Sequence, residues 1–433
     1  MNYTEVLILV LSFLVFLSLR VPVAYAIGLS ALLTLIVAMP FLPSVTTLAQ
    51  RMATSLDSFT LSAIPFFILA GQIMNRGGIA IRLINFAKAI VGPLPGGLAF
   101  VNIIACMLFG AISGSAVAAA SAIGGFMNPM MEKEGYDKSF SAAVNITSAT
   151  TGLIIPPSNV LIIYSLASGG VSIAALFIAG YIPGILIGLA LMLVAGVYSI
   201  IKKYPTEKLV SIREFFKRLF DALPSLLLLV VVIGGIVAGI FTATEASAIA
   251  VIYTFVLALL YKEISIKSIT PILLETIKTS AIVLLLIATS IAMSWVMSYE
   301  NIPQEISEAL LTISDNPIVI LIIINLILLF VGVFMDMTPA VLIFTPIFLP
   351  IVTDLGMNPV HFGIVMILNL CIGLCTPPVG SVLFVGCSVA ELSIQKVIRP
   401  LLPLFIIMIV VLLLITYIPT LSLWLPDMFD LLS

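Results

Sequence analysis

The 433-residue chain is 62% hydrophobic and 9% charged, with a mean hydropathy of +1.30. No soluble globule hides that much apolar surface, so the sequence specifies an all-α polytopic membrane protein; strands of alternating character, the mark of an outer-membrane barrel, are missing. The net charge of −2, with no basic patch outside the loops, speaks against nucleic acid as a partner.

The first apolar run, Val6 to Leu19, is expected to stay as a helix rather than be cleaved. A second span at about 23–39 ends at Pro40, and a more polar stretch at 41–56 holds Arg51. A third span at about 58–75 leads into an amphipathic surface helix from Ile79 to Val91. Between Gly110 and Gly125, 13 of 16 residues are Gly, Ala or Ser, so about 98–131 reads as a re-entrant hairpin. About 139–169 reads as a helix broken at its middle, and 171–201 as a further span. Residues 202–221 form a connecting loop rich in Lys and Arg.

The plan then repeats. Spans are expected at about 223–241, 244–261 and 279–298, with a surface arm from Lys262 to Lys278 and a polar stretch from Asn301 to Asn316. A second hairpin follows at about 317–352, with its tip at Asp336-Met337-Thr338-Pro339, and a second broken helix at about 359–390. A span at 401–420 closes the second repeat (222–420), leaving 421–433 as a tail. Pro129 and Pro350, Gly135 and Gly356, Gly152 and Gly373, Pro156 and Pro377, and Pro157 and Pro378 are all 221 positions apart, the signature of an internal duplication.

Five full crossings per half turn the second half upside down relative to the first. With the N-terminus outside, 17 of the 18 Lys and Arg residues fall on the cytoplasmic side and only Arg51 outside, while Glu300, Glu305, Glu308, Asp315, Asp354, Asp427 and Asp430 fall outside. Both termini are therefore expected in the periplasm.

Consecutive prolines end a helix because each lacks an N–H and its ring crowds the preceding turn. In lipid the freed backbone groups need partners in the protein or on a ligand, and two broken helices at matching places point to a transporter's central site. Candidate oxygen donors in the first half are Ser113, Gly114, Ser115, Thr151, Gly152, Ser158 and Asn159. In the second they are Asp336, Met337, Thr338, Gly373, Thr376, Gly380 and Ser381. Unwound carbonyls suit a hard cation such as Na⁺ and helix N-termini an anionic group. Small-residue runs also serve plain helix packing, and a Pro-Pro pair can simply shape a kink.

Asp57, Glu245 and Asp336 are the acids near or inside apolar segments; Asp57 reads as a helix cap, and Glu245 and Asp336 suit capping as well as a functional role. The single histidine, His361, excludes multi-His metal centres and reads as a packed ring. Cys371 and Cys375 share a helix face but read as core. No HExxH, P-loop or GxSxG motif is present, so neither an enzyme nor an ATP-driven pump is expected.

Five stretches, in order, resemble the large membrane subunit of TRAP (tripartite ATP-independent periplasmic) transporters: 63–71 (AIPFFILAG), 109–117 (FGAISGSAV), 152–158 (GLIIPPS), 241–246 (FTATEA) and 376–380 (TPPVG). The resemblance covers nearly the whole chain; alanine stands before Thr244-Glu245 where the family usually has proline. It implies Na⁺-coupled import of an organic acid, such as sialic acid or a C4-dicarboxylate, by an elevator motion in the bacterial inner membrane. It also implies two partners, a small four-helix membrane subunit and a periplasmic substrate-binding protein, and no cofactor beyond Na⁺ as the coupling ion. Carried over by position, the Na⁺ donors are Ser115, Gly152, Pro156, Ser158, Asp336, Gly373, Thr376 and Pro378. The substrate contacts are Ser113, Gly114, Asn159, Thr338 and Ser381. A self-sufficient Na⁺/dicarboxylate carrier of similar build and a passive channel are the alternatives.

Overall fold

The computed structural model describes residues 3–206, 211–314 and 316–432, so Glu207 to Val210 of the connecting loop and Asp315 lie outside the described residues. The first half runs α1 (Tyr3–Ser18), α2 (Val23–Ala38), α3 (Phe41–Ser55), α4 (Ala63–Arg76) and α5 (Ile79–Val91). It continues with α6 (Gly97–Ser113), α7 (Ala116–Lys133), α8 (Lys138–Thr151), α9 (Asn159–Ala167) and α10 (Ile173–Lys202). The second half runs α11 (Ile212–Val237), α12 (Ala243–Leu260), α13 (Ile266–Tyr299), α14 (Ile302–Ile313) and α15 (Pro317–Phe334). It ends with α16 (Met337–Asp354), α17 (Pro359–Leu374), α18 (Ser381–Val389), α19 (Ile394–Tyr417) and α20 (Thr420–Met428). The bounds of α7 and α16 differ by 221 residues at both ends, as do the starts of α8 and α17 and of α10 and α19.

Among the described residues, seven helices are long and apolar enough to cross a membrane, or eight if α3 and the 64°-bent segment through α4 count as one. α4 packs on α12 and α13, and α2 on α1 and α13, forming a scaffold. α6 to α9 pack on one another and on α16 to α19, forming a second, interwoven body.

The halves are inverted, and α10 measures it. At the C-terminal end of α10, Tyr204 donates its hydroxyl to Asp137 Oδ2 (2.7 Å) and Lys202 lies 3.7 Å from the same oxygen, so the base of the α6–α7 hairpin sits there. Near the start of α10, the Tyr164 hydroxyl donates to Pro359 O (2.6 Å), which places the base of the α15–α16 hairpin at the opposite end. Thirty residues at ~1.5 Å each separate the two. The face marked by Tyr204 also gathers Arg82, whose guanidinium lies 3.7 Å over the Tyr261 ring and 3.9 Å from Glu263. On the opposite face Arg51 stacks 4.7 Å over Trp295.

That second face also holds Glu5 and Glu300. Burial pushes the Glu300 carboxyl above its usual range, and the nearby Glu5 carboxylate adds to the push. A folded-state value above the unfolded one means the charged form costs stability at neutral pH, a cost that fades as pH falls through the folded value. E300Q is therefore expected to melt higher than wild type at pH 7, with the gain shrinking at pH 4. Thermal melts at both pH values check this, and no gain at pH 7 contradicts it.

Several boundaries differ from the sequence reading. The surface arm at 262–278 is no separate element: α13 runs 34 residues without interruption, because Pro271 falls early in the helix and no glycine follows it. The polar stretches at 41–56 and 301–316 fold as α3 and α14, whose apolar positions recur at helical spacing. α11 starts at Ile212, inside the expected loop, capped by Ser211 accepting from Glu214 N (3.2 Å). Part of the expected tail is α20, packed on α10 and α17.

Candidate functional site

Both breaks are built alike. Leu153 N donates to Thr150 O (3.1 Å) and Ile154 N to Thr151 O (3.3 Å), after which the chain leaves the helix and α9 begins at Asn159. In the second half Thr376 N bonds Gly373 O (2.9 Å), and α18 begins at Ser381. The Pro156-Pro157 and Pro377-Pro378 bonds are both cis. The hairpin arm of each half crosses its broken helix at a glycine pair. A Cβ on Gly110 would come within 2.9 Å of Gly152 Cα, and one on Gly332 within 3.0 Å of Gly373 Cα. The two broken helices also touch: the Cys371 and Cys375 thiols donate to Thr150 O and Ile146 O, each at 3.3 Å. The thiols are thus packed core, and no group of three or more metal-ligating side chains occurs among the described residues.

Where the hairpin tips converge lies a cavity of about 230 Å³. Ser113, Gly114 and Ser115 line it from the first tip, Asp336 and Thr338 from the second, and Asn159 from the start of α9. The opposite wall is scaffold: Ile64, Ile68, Gly71, Gln72 and Asn75 of α4, with Thr279 and Val283 of α13. Local chemistry fixes each tip. Gly114 takes the left-handed conformation (φ 61°) that ends α6, and Ser115 caps α7 by accepting from Ala118 N (3.2 Å). Asp336 stands at the N-cap of α16 and lines a second cavity as well, beside Pro22 to Tyr25 and Ala281 to Leu286. Close approach sets the register, since a Cβ on Gly71 would fall 3.0 Å from Ser113 Cα.

Six of the expected site residues therefore meet in one cavity: Ser113, Gly114, Ser115, Asn159, Asp336 and Thr338. Gly152, Pro156, Ser158, Gly373, Thr376, Pro378 and Ser381 do not line it. Gly152 and Gly373 instead sit at the helix crossings. The first break is buried from 151 to 160, whereas Pro378 and Val379 of the second are exposed. Ser158 Oγ, Asn159 Oδ1 and Ser381 Oγ are buried without a hydrogen-bond partner. Glu245 forms a capping box with Thr242, its carboxylate accepting from Thr242 N (2.8 Å), which is the capping role. His361 is packed between Ser422 and Thr416 O. The scaffold wall was missed, although Gln72 and Asn75 in an otherwise apolar span were a visible signal.

The cavity has a distinctive charge inventory. Among the described residues, Asp336 is the only ionisable one lining it, and no Lys or Arg does. The N-terminal turns of α7, α9 and α16 all border it, so partial positive charge comes from backbone N–H groups. One carboxylate, several hydroxyls and three helix N-termini can together hold a cation and an anion.

Residues 10–421 match the family model described as "Tripartite ATP-independent periplasmic transporter, DctM component". The chain is 57% identical to the uncharacterized protein YgiK of Salmonella typhimurium, over 98% of each chain. It is 41% identical to the C4-dicarboxylate TRAP transporter large permease protein DctM of Pseudomonas aeruginosa, over 93% of this chain and 94% of that one. Among solved structures, the YdaH transporter of Alcanivorax borkumensis shares the fold with a TM-score of 0.67 at 12% identity, covering 91% of this chain and 90% of that one. A duplicated, inverted helical membrane protein with paired hairpins, paired Pro-Pro breaks and a match along nearly its whole length, this chain belongs to the DctM component family of tripartite ATP-independent periplasmic transporters.

Proposed function

We propose that the chain is the large permease subunit of a Na⁺-coupled tripartite importer of a small organic acid in the bacterial inner membrane. It works with a small four-helix membrane subunit and a periplasmic binding protein, with both termini periplasmic. The observation that carries this reading is the single cavity shared by both hairpin tips and the start of α9. Hard cations take oxygen ligands, and the Asp336 carboxylate, the tip hydroxyls and the unpartnered Ser158, Asn159 and Ser381 oxygens are of that kind. The cargo's carboxylate finds N–H groups at three helix N-termini, and the coupling cation supplies the positive charge that no described Lys or Arg brings to the cavity. A C4-dicarboxylate, as in the name of the P. aeruginosa relative, and sialic acid are the cargo classes in view.

Asymmetry between the halves supports an elevator motion. The first tip faces residues 64–75 of α4, whose repeat counterparts on α13 are 285–296. The second tip instead lies beside 279–286 of α13, about eight residues nearer its basic end, or ~12 Å at ~1.5 Å per residue. A body shifted toward the Lys/Arg-rich face is an inward-facing arrangement. Reconstituted vesicles test the assignment: uptake should require both a Na⁺ gradient and the cognate binding protein. Full uptake by the permease and small subunit without the binding protein favours a self-sufficient carrier. Uptake indifferent to collapse of the Na⁺ gradient favours a channel.

A further inference from the structure

α4 reads AIPFFILAGQIMNR, apolar until Gln72 and Asn75. These two, one turn apart, share a face with Ile64, Ile68 and Gly71, and all five border the cavity. Gln72 is half-buried and Asn75 and Thr279 are exposed, so their polar groups are open to water or cargo in the cavity they line. Neither Gln72 nor Asn75 has a protein hydrogen-bond partner among the described residues, and neither does Thr279 on the facing helix α13. All three belong to the scaffold, whereas the tips belong to the other body.

Resting on the reading of this cavity as the transport site, we propose that Gln72, Asn75 and Thr279 form a fixed polar wall that hydrogen-bonds the hydroxyl or carbonyl groups of the organic-acid cargo and thereby sets which acid the site holds in this inward-facing arrangement. An ammonium or guanidinium there would attract any anion. A carboxamide, with one acceptor oxygen and two donor hydrogens, discriminates by geometry, because a cargo without the matching hydroxyl leaves the amide unpaired. The cavity's 230 Å³ leaves room for a small acid with its hydroxyls against this wall.

The test is thermal-shift titration of the purified permease with its small subunit at saturating Na⁺, using succinate, malate and gluconate as probes. Cargo that binds the folded state raises Tm, so apparent Kd can be read without the binding protein. In wild type a hydroxylated acid should bind more tightly than its plain analogue. Gln72→Leu and Asn75→Leu should each weaken the hydroxylated acid by about tenfold, affect the plain analogue less, and leave the Na⁺ half-saturation unmoved. If either leucine variant fails to fold, Gln72→Asn and Asn75→Gln keep polarity, shift the amide by one methylene and face the same criterion. Unchanged affinities and ranking in these variants, while Ser115→Ala and Asp336→Ala lose binding, overturn the wall and leave the cavity assignment standing. Binding unchanged in Ser115→Ala and Asp336→Ala as well, or no shift by any acid in wild type, overturns both.

Discussion

Alanine at Gly152 is expected to abolish uptake and to lower the melting temperature sharply. The added Cβ would overlap the Gly110 backbone and lie 2.8 Å from Ala111 N, and none of these atoms can swing aside as a side chain would. Overpacking a core costs about 1–3 kcal/mol when side chains can adjust. With backbone as the obstacle, the hairpin arm must leave the broken helix altogether. Gly373→Ala is expected to behave the same way, because its Cβ would lie 2.5 Å from Gly332 Cα. Gly125 is the control: it also lies in the small-residue run, but a Cβ there meets nothing within 4 Å. Gly125→Ala should be neutral, or stabilise by roughly 0.5–1 kcal/mol as a helix-interior glycine replacement. Melting curves and uptake for the three variants check the contrast. A well-folded, active Gly152→Ala protein would mean that the hairpin and broken helix do not cross there.

Ser115→Ala and Asp336→Ala are the second pair with a large expected effect, this time on function rather than folding. Among the described residues Asp336 is the only ionisable one lining the cavity, and its removal deprives a bound cation of its counter-charge. Ser115 lines the first tip and also caps α7 through Ala118 N. Losing that cap costs on the order of 1 kcal/mol, too little to unfold the chain. Both variants should therefore insert and melt near wild type while coupled uptake falls to background. Retained Na⁺-dependent uptake in both would move the ion sites elsewhere.

Much of this was legible in the sequence because the relevant signals are covalent. The 221-residue spacing of Gly and Pro positions follows directly from the letters, and the same spacing recurs in the helix bounds. The Lys/Arg bias separates the two faces, and the contacts of Tyr204 and Arg82 gather basic residues on one of them. What stayed hidden depends on packing across the fold. Nothing local distinguishes Gly152, pressed on Gly110, from Gly125, which faces open space. Ser158 and Asn159 are neighbours in the chain, yet only Asn159 lines the cavity. The first turns of α13 carry charges and Pro271 and so resemble a surface arm, yet the helix runs through them without a break. The scaffold wall stayed hidden because two amides near the end of an apolar span do not reveal which helix face the hairpin tips will meet.

The most direct measurement is a double-cysteine cross-link between Ala118 and Thr60. In the present arrangement Asp336 and Pro339 lie beside Ala281 and Ile282, and the repeat maps those positions onto Ser115, Ala118, Thr60 and Leu61. Thr60 now borders a different cavity, with Phe241 to Thr244 and the α9–α10 loop, from the central one that Ala118 lines. A disulfide needs the two Cα atoms within about 7 Å. If the hairpins and broken helices travel as one body along the scaffold, Ala118→Cys with Thr60→Cys should cross-link in turnover conditions and arrest uptake until reduced. Should the pair never cross-link while uptake proceeds at the wild-type rate, the two bodies do not move past each other in this way.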